Sequence, residues 1–311
     1  MTTALFSPPD CQDHLTPPGH PEQVARLVAI AAALAAEEFA ELDRQDAPLA
    51  DERALLRCHP QGHVDRVRDA IPAHGFAQLD ADTHVSPGSF RAALRAVGAS
   101  LAAVEQVVSG ARHNAFVACR PPGHHAERER AMGFCLFGNV SIAAKYALDA
   151  LGLARVAIID FDAHHGNGTQ DLMWDEPRAL YCSSHQVPLY PGTGAVEETG
   201  GAGHVVNAPL APATGGAEMR AVYDEVILPA VEAFAPGLIL VSAGFDAHAR
   251  DPLAQLNWRT DDFAWLTARI CDVADRVCAG RIVSTLEGGY DLDALGESVA
   301  AHVGVLTERG G

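Results

Sequence analysis

Residues 156–168 decide the fold and read Val-Ala-Ile-Ile-Asp-Phe-Asp-Ala-His-His-Gly-Asn-Gly. The apolar run at 156–159 shows no polar alternation, which predicts a strand that is buried on both faces, as in a parallel sheet covered by helices. Carboxylates and imidazoles follow this run immediately. Since open α/β sheets bind ligands at the carboxyl ends of their strands, the stretch predicts a site at that edge.

The same arrangement recurs along the chain. Apolar runs lead into polar clusters at three further places: 115–119 into Arg120-Pro-Pro-Gly-His-His125, 238–241 into Ser242-Ala-Gly-Phe-Asp246, and 282–286 into Glu287-Gly-Gly-Tyr290. A further apolar run covers 180–182. Helical periodicity predicts helices over 21–41, 51–71, 87–109, 140–151, 216–235, 261–279 and 292–307. No linker interrupts the pattern, so we expect a single α/β domain over 1–311, with three α/β/α layers around a mainly parallel sheet.

Composition excludes several classes of protein. The chain has 311 residues, and its 22 basic and 40 acidic residues give a formal charge of −18. This balance disfavours nucleic-acid binding, which relies on clustered Lys and Arg. Seven cysteines form no CxxC pair, and no apolar run reaches the roughly 18 residues of a membrane span. We therefore expect a soluble, reduced, cytoplasmic protein without a membrane or nucleic-acid partner.

Three residues suggest a metal site. Asp162 and His164 are two positions apart, so on an extended segment their side chains project to the same side. Asp246, at the end of another strand, can supply a further oxygen. Two carboxylates and one imidazole suit a divalent cation such as Zn²⁺ and leave a coordination position open for water or substrate.

Other polar residues of these clusters suggest acid–base chemistry. His124 and His125 follow a Pro-Pro-Gly turn, and Asp160 and Asn167 can each orient one of the two imidazoles. Tyr290 follows two glycines and offers a phenol O–H that can stabilise an oxyanion.

Taken together, the motifs resemble the zinc-dependent histone deacetylase superfamily, which also contains bacterial acetylpolyamine amidohydrolases and acetoin-utilisation proteins. The resemblance extends from about residue 5 to residue 305, with the motifs in family order. Its marks are Pro18-Gly-His-Pro-Glu22, Asp82-Thr-His-Val-Ser-Pro-Gly88, Arg120-Pro-Pro-Gly-His-His-Ala126, Gly133-Phe-Cys135, Asp160 to Gln170, Tyr190-Pro-Gly-Thr-Gly194, Ser242 to Ala247 and Leu286-Glu-Gly-Gly-Tyr290.

The resemblance implies roles for individual residues. Asp162, His164 and Asp246 become the zinc ligands. His125 becomes the general base and acid, while Tyr290 polarises the carbonyl group. His124 becomes the electrostatic partner of His125. Asp160 orients the His124 ring, and Asn167 orients the His125 ring. An Asn at 167, where class I enzymes carry Asp, looks like the class II branch and implies a less basic His125.

The resemblance also implies a structural potassium ion and a narrow acyl-lysine channel. The potassium ligands would be Asp160, the Ser183 hydroxyl and main-chain carbonyls of Asp162, His164 and Ser184. Phe134 and Tyr190 would form the channel walls, with Gly133 at the floor and Leu253 at the rim. Asp82 is a candidate for holding the main-chain N–H of the substrate.

Two other classes of function are weighed against a deacetylase. Ureohydrolases bind two manganese ions and need a carboxylate two residues after the histidine, where this chain has Gly166. A catalytically silent sensor or binding module is disfavoured because no ligand and no tyrosine is lost.

Within the family, an acetylpolyamine amidohydrolase is the main alternative to a lysine deacetylase. Polyamine-selective members of the class II branch place Glu in the turn after the last zinc ligand, where this chain has Asp251-Pro-Leu253. Arg250 stands where relatives commonly have Gly and brings a cation to this turn. The sequence predicts an acylated protein, peptide or small amine as substrate and leaves the oligomeric state open.

Overall fold

Ten strands form the sheets within the described part of the chain. A computed structural model describes residues 2–310. Eight parallel strands make one sheet in the order β2-β1-β5-β10-β9-β6-β7-β8, and β3 and β4 pair as a small antiparallel hairpin. The bounds are β1 Thr3–Phe6, β2 Asp43–Gln45, β3 Ala77–Gln78, β4 His84–Val85, β5 Asn114–Val117, β6 Val156–Asp160, β7 Ala179–Gln186, β8 Val205–Leu210, β9 Ile239–Ala243 and β10 Ile282–Leu286.

Helices connect the strands and pack in two layers. One layer contains α1, α7, α8 and α9, which contact one another in succession, and the other contains α3, α4 and α5. The bounds are α1 Ala25–Ala33, α2 Gln61–Asp69, α3 Ser89–Val108, α4 Asn139–Asp149, α5 Asn167–Met173, α6 Gly216–Val222, α7 Leu228–Phe234, α8 Thr260–Cys278 and α9 Leu292–Gly310. No helix between residues 2 and 310 is long and apolar enough to cross a membrane.

The central strands are apolar because both of their faces are covered. Every residue of β6, β9 and β10 is buried, and Ile158 and Ile159 are fully enclosed. Burying a side chain of this size stabilises the fold by roughly 1.5–3 kcal/mol. The prediction of an α/β fold with a mainly parallel sheet is therefore confirmed, and the strand ends that carry the polar motifs lie side by side.

Several predicted helices are shorter than the periodicity indicated. The helix predicted over 51–71 is a 3₁₀ segment, Glu52–Arg57, followed by α2, because Pro60 takes an extended conformation before α2 begins. The helix predicted over 21–41 is regular only in α1 and is followed by a 3₁₀ turn. The stretch 216–235 forms α6 and α7 joined by a π-helical turn, Tyr223–Ile227.

A buried ion cluster joins the N-terminal segment to the carboxyl edge of the sheet. The Glu22 carboxylate accepts hydrogen bonds from Arg120, at 2.6 Å from Nη2, and from Arg26 Nη1 at 3.2 Å, and all three side chains are fully enclosed. Arg26 also donates to the main-chain oxygens of Gly289 and Glu287, at 2.6 and 2.5 Å. Burial alone would raise the pKa of Glu22, but Arg120 and His14 hold it well below its usual range.

We expect Glu22→Gln to lower the free energy of unfolding by about 3–5 kcal/mol, because two guanidinium groups then stay buried without a carboxylate. Urea denaturation followed by circular dichroism measures the effect. Glu232→Gln is the matched control, since Glu232 pairs with Arg276 at the exposed surface, where solvent screens the pair, and its loss should leave stability nearly unchanged. Equal effects of the two substitutions would contradict the prediction.

Candidate active site

The predicted metal ligands meet at the carboxyl ends of β6 and β9. Asp162, His164 and Asp246 each place one ligating atom within 4.8 Å of the others, and all three are buried. His164 Nδ1 lies 2.8 Å from Asp246 Oδ2 and 3.1 Å from Asp162 Oδ1. The other carboxylate oxygens accept main-chain hydrogen bonds at 2.8 Å, from Gly288 to Asp162 Oδ2 and from Ala163 to Asp246 Oδ1.

This donor set fits a divalent cation. Burial alone would lower the pKa of His164, but Asp246 and Asp162 raise it to about 10. Burial and the charge of Asp162 raise the pKa of Asp246 to about 7. The two carboxylates thus create a strongly negative potential at His164 Nδ1. A divalent cation is stabilised by the same potential, and two carboxylates with one imidazole are ligands that such cations accept.

The two adjacent histidines differ in their partners. His124 Nδ1 lies 3.1 Å from Asp160 Oδ2, whereas His125 Nδ1 lies 2.8 Å from Asn167 Oδ1. Since the Asn167 amide nitrogen donates to Glu127 at 2.7 Å, its oxygen must accept from His125, which places the proton on Nδ1 and leaves Nε2 as the basic nitrogen.

The charges of the pair differ as well. Burial alone would lower the pKa of His124, but Asp162 and Asp160 raise it well above the usual histidine value. Burial, with the neighbouring charges of His124 and His164, lowers the pKa of His125 well below that value. The ring centroids are only 4.0 Å apart. A cationic imidazole therefore stands beside a neutral one, as expected where one group holds charge and the other exchanges a proton.

A cavity of about 240 Å³ opens onto these groups. Its lining includes every predicted substrate-binding residue together with His125, His164 and Tyr290, and sequence reasoning missed one member, Leu189, which directly precedes the Tyr190 motif. The lining residues are Asp82, His125, Gly133, Phe134, His164, Leu189, Tyr190, Leu253 and Tyr290. The Tyr190 ring stands edge-on to His125, with centroids 5.2 Å apart.

Tyr290 is fixed from two sides. Its main-chain N–H donates to Asp251 Oδ2 at 2.7 Å, and the Arg26 guanidinium lies 5.0 Å from its ring centroid. Burial raises the pKa of the phenol well above its usual value. Tyr290 therefore keeps its proton at neutral pH and can donate a hydrogen bond into the cavity.

Glu287 belongs to the site although sequence reasoning assigned it no role. The fully buried carboxylate accepts hydrogen bonds from the main-chain N–H groups of Gly123 and His124, at 2.7 and 3.1 Å. It thereby ties the loop that carries both histidines to the end of β10. Its position in the motif beside Tyr290 is the only signal in the sequence, and nothing in the sequence indicated Arg26 or the main-chain contact of Asp251.

The residues predicted to hold potassium lie near one another. Asp160 and Ser183 are register partners in the β6–β7 pairing, and both are buried. Ser183 Oγ lies 2.9 Å from His185 Nδ1, and Ser184 Oγ lies 2.8 Å from the Tyr223 hydroxyl. Tyr181 donates a hydrogen bond to Asp160 Oδ2 at 3.1 Å.

Comparison with known proteins identifies relatives of the whole chain. The family profile for the histone deacetylase domain matches residues 20–306. Histone deacetylase 10, chloroplastic, of rice (Oryza sativa subsp. japonica) is 41% identical over 301 residues, covering 90% of this chain and 68% of that protein. The histone deacetylase-like amidohydrolase of Pseudomonas aeruginosa is 40% identical over 255 residues, covering 81% and 67%. The crystal structure of the HDA15 HD domain matches with a TM-score of 0.94 and 34% identity, over 99% of this chain and 88% of that one.

We expect the protein to bind one divalent metal ion per chain. Asp246→Asn should weaken binding by more than the roughly 10- to 100-fold that follows loss of a group supporting a metal ligand. Metal analysis after dialysis and competition with a chelator measure the affinity. The matched control is Asp251→Asn, another buried carboxylate outside the ligand set. Wild-type affinity in the Asp246 variant would exclude this site.

Proposed function

Because the chain belongs to the histone deacetylase family, we propose that it is a zinc-dependent lysine deacetylase that removes acetyl or other short acyl groups from lysine side chains of proteins or peptides. It is a hydrolase of linear amide C–N bonds, and the family acts on acetylated amines. The observation that carries the proposal is the convergence of Asp162, His164 and Asp246 with His125 and Tyr290 at one cavity. We propose that residues 1–311 form a single catalytic domain.

The proposed cofactor is one Zn²⁺ ion held by Asp162, His164 and Asp246. When bound, zinc supplies Lewis acidity, which polarises a carbonyl group and makes water acidic enough to act as a nucleophile near neutral pH. We also propose a structural potassium ion at Asp160, Ser183 and the main-chain carbonyls of Asp162, His164 and Ser184. The register pairing of Asp160 with Ser183 supports this placement.

The protein residues perform the proton transfers in the proposed mechanism. His125 Nε2 removes a proton from the attacking water, because its Nδ1 proton is held by Asn167. The Tyr290 hydroxyl donates a hydrogen bond to the oxyanion of the tetrahedral intermediate. His124, held as a cation by Asp162 and Asp160, adds positive charge beside that oxyanion. His125 then protonates the leaving lysine amine, and the C–N bond breaks to release acetate.

The cavity walls support an extended aliphatic substrate. Phe134 and Tyr190 present aromatic surface to the cavity, Gly133 lies beside His125, and Leu253 adds an apolar side chain at the rim. Arg250 is turned towards α9, where its Nη2 lies 2.6 Å from Glu297 Oε2. A cation held in this way does not repel a lysine-rich substrate as a free one would. All seven cysteines are free and buried, which supports our further proposal of a reducing, cytoplasmic location.

Tyr290→Phe should lower kcat for an acetyl-lysine peptide by about 100- to 1000-fold, because one oxyanion donor is lost. Zinc content should stay at one per chain, since the phenol is outside the ligand set. Steady-state kinetics and metal analysis test both points. Tyr146→Phe removes the same hydroxyl from a ring stacked on Arg57, away from the cavity, and should leave kcat unchanged. Wild-type turnover by the Tyr290 variant would refute the mechanism.

Acetyl-lysine peptides should exceed acetylputrescine and acetylspermidine in kcat/KM by more than about tenfold, because Leu253 offers no carboxylate to a distal ammonium group. Leu253→Glu should shift this ratio towards the polyamines. Leu49→Glu, at an exposed leucine that does not line the cavity, should leave this ratio unchanged. A tenfold preference of the wild type for polyamines would instead identify an acetylpolyamine amidohydrolase.

A further inference from the structure

Phe134 has an unusual backbone conformation on the wall of the cavity. Its φ angle is 68°, in the left-handed region that bulky residues rarely adopt, and the preceding Gly133 has a φ angle of 56°. Ala213, Ala235 and Ala279 also have positive φ angles, but they are small residues in the turn between β8 and α6 and at the C-caps of α7 and α8. Phe134 ends no helix. A strained residue of this kind persists only where its surroundings hold it.

Two side chains hold the strained turn through its main-chain N–H groups. The N–H of Gly133 donates to Asp82 Oδ1 at 3.1 Å, and the N–H of Phe134 donates to Thr83 Oγ1 at 3.1 Å. The Thr83 hydroxyl donates in turn to Asp82 Oδ1 at 2.9 Å. Thr83 is fully buried, so its hydroxyl exchanges neither bond for water.

The turn and the reacting groups are in close contact. A Cβ atom at position 133 would lie 2.6 Å from His125 Cγ, so the backbone passes directly against that imidazole. The Phe134 ring stands edge-on to Tyr290, with centroids 5.8 Å apart, and to His20, with centroids 4.8 Å apart. A shift of the Phe134 main chain therefore moves the wall that contacts the substrate.

We propose that Thr83 is a positioning residue, whose hydroxyl fixes the strained Gly133–Phe134 turn and thereby the width of the acyl-lysine channel. The proposal rests on the deacetylase function given above. It also changes the role expected of Asp82 Oδ1, which holds the enzyme's own main chain at Gly133 and the Thr83 hydroxyl.

Loss of the Thr83 hydroxyl should affect substrate binding more than the chemical step. Without the Thr83 hydroxyl, Phe134 loses the acceptor for its N–H, whereas Gly133 keeps its bond to Asp82 beside His125. The general base therefore stays in place while the wall becomes mobile. An interaction that stabilises bound substrate and transition state equally changes KM and leaves kcat nearly unaltered.

Thr83→Val, which keeps the shape of the side chain but removes the hydroxyl, tests the proposal. We expect KM for an acetyl-lysine peptide to rise about tenfold, the size expected for one lost hydrogen bond, with kcat within about threefold of wild type. Amide hydrogen exchange of the segment that contains Phe134 should become faster. Thr83→Ser retains the hydroxyl and should restore both KM and slow exchange.

The Thr267→Val variant distinguishes the positioning role of Thr83 from a general loss of stability. Thr267 is equally buried and bonds to Phe263 and His302 in α8 and α9, so its substitution should lower the unfolding midpoint without changing KM. An unchanged KM in Thr83→Val, or a Thr83→Ser variant as impaired as the valine variant, overturns the proposal. If the wild type does not hydrolyse acetyl-lysine, the proposed deacetylase function is wrong. The role of Thr83 is then tested by hydrogen exchange alone, and an unchanged amide exchange rate at Phe134 in the Thr83→Val variant overturns it.

Discussion

Four carboxylates are buried at one edge of the sheet, and the arrangement of the site follows from their need for compensation. Asp160, Asp162, Asp246 and Glu287 are all fully enclosed. An uncompensated buried carboxylate costs several kcal/mol, so each must receive hydrogen bonds or positive charge. Main-chain N–H groups from three loops supply part of this compensation. For example, the N–H of Gly288 donates to Asp162. Imidazoles supply another part of this compensation. The negative potential that remains at His164 makes that position suitable for a cation.

The same charges separate the two histidines. His124 faces Asp162 and Asp160, so it is held as a cation, and burial together with the charge of His124 keeps His125 neutral. Asn167 orients His125 without adding a further negative charge. The presence of Glu127 beside the Asn167 amide explains why this position suits an amide, because an aspartate at 167 would face that carboxylate. Burial and the charges of His124 and His164 lower the pKa of His125, while its hydrogen bond to Asn167 acts in the opposite direction and orients the ring.

The sequence predicted those parts of the molecule that local pattern determines. The interior strands are apolar on both faces, so β6 and β9 were found, whereas β1, β2 and β8 were missed, as they lie towards the sheet edges and carry weaker patterns. The motif residues were predicted because they stand together in short segments. Arg26 was not, since its contact with Gly289 joins residues 263 positions apart. Thr83 was not predicted for a related reason. Its hydroxyl accepts from the main-chain N–H of Phe134, and no pattern of residue types indicates the backbone conformation at that position.

Two carboxylates fix the shape of the cavity by binding main-chain N–H groups of its lining. Asp251 accepts from the N–H groups of Tyr290 and Leu253, at 2.7 and 2.9 Å, much as Asp82 accepts from Gly133. Both carboxylates bind backbone N–H groups, whereas the side chains of Leu253 and Phe134 are apolar and take no part in these hydrogen bonds. A substitution of Leu253 can therefore change the lining of the cavity while the main-chain hydrogen bond that holds Tyr290 is kept. The amine selectivity proposed above rests on the Leu253 side chain, whereas the position of Tyr290 rests on a main-chain hydrogen bond to Asp251.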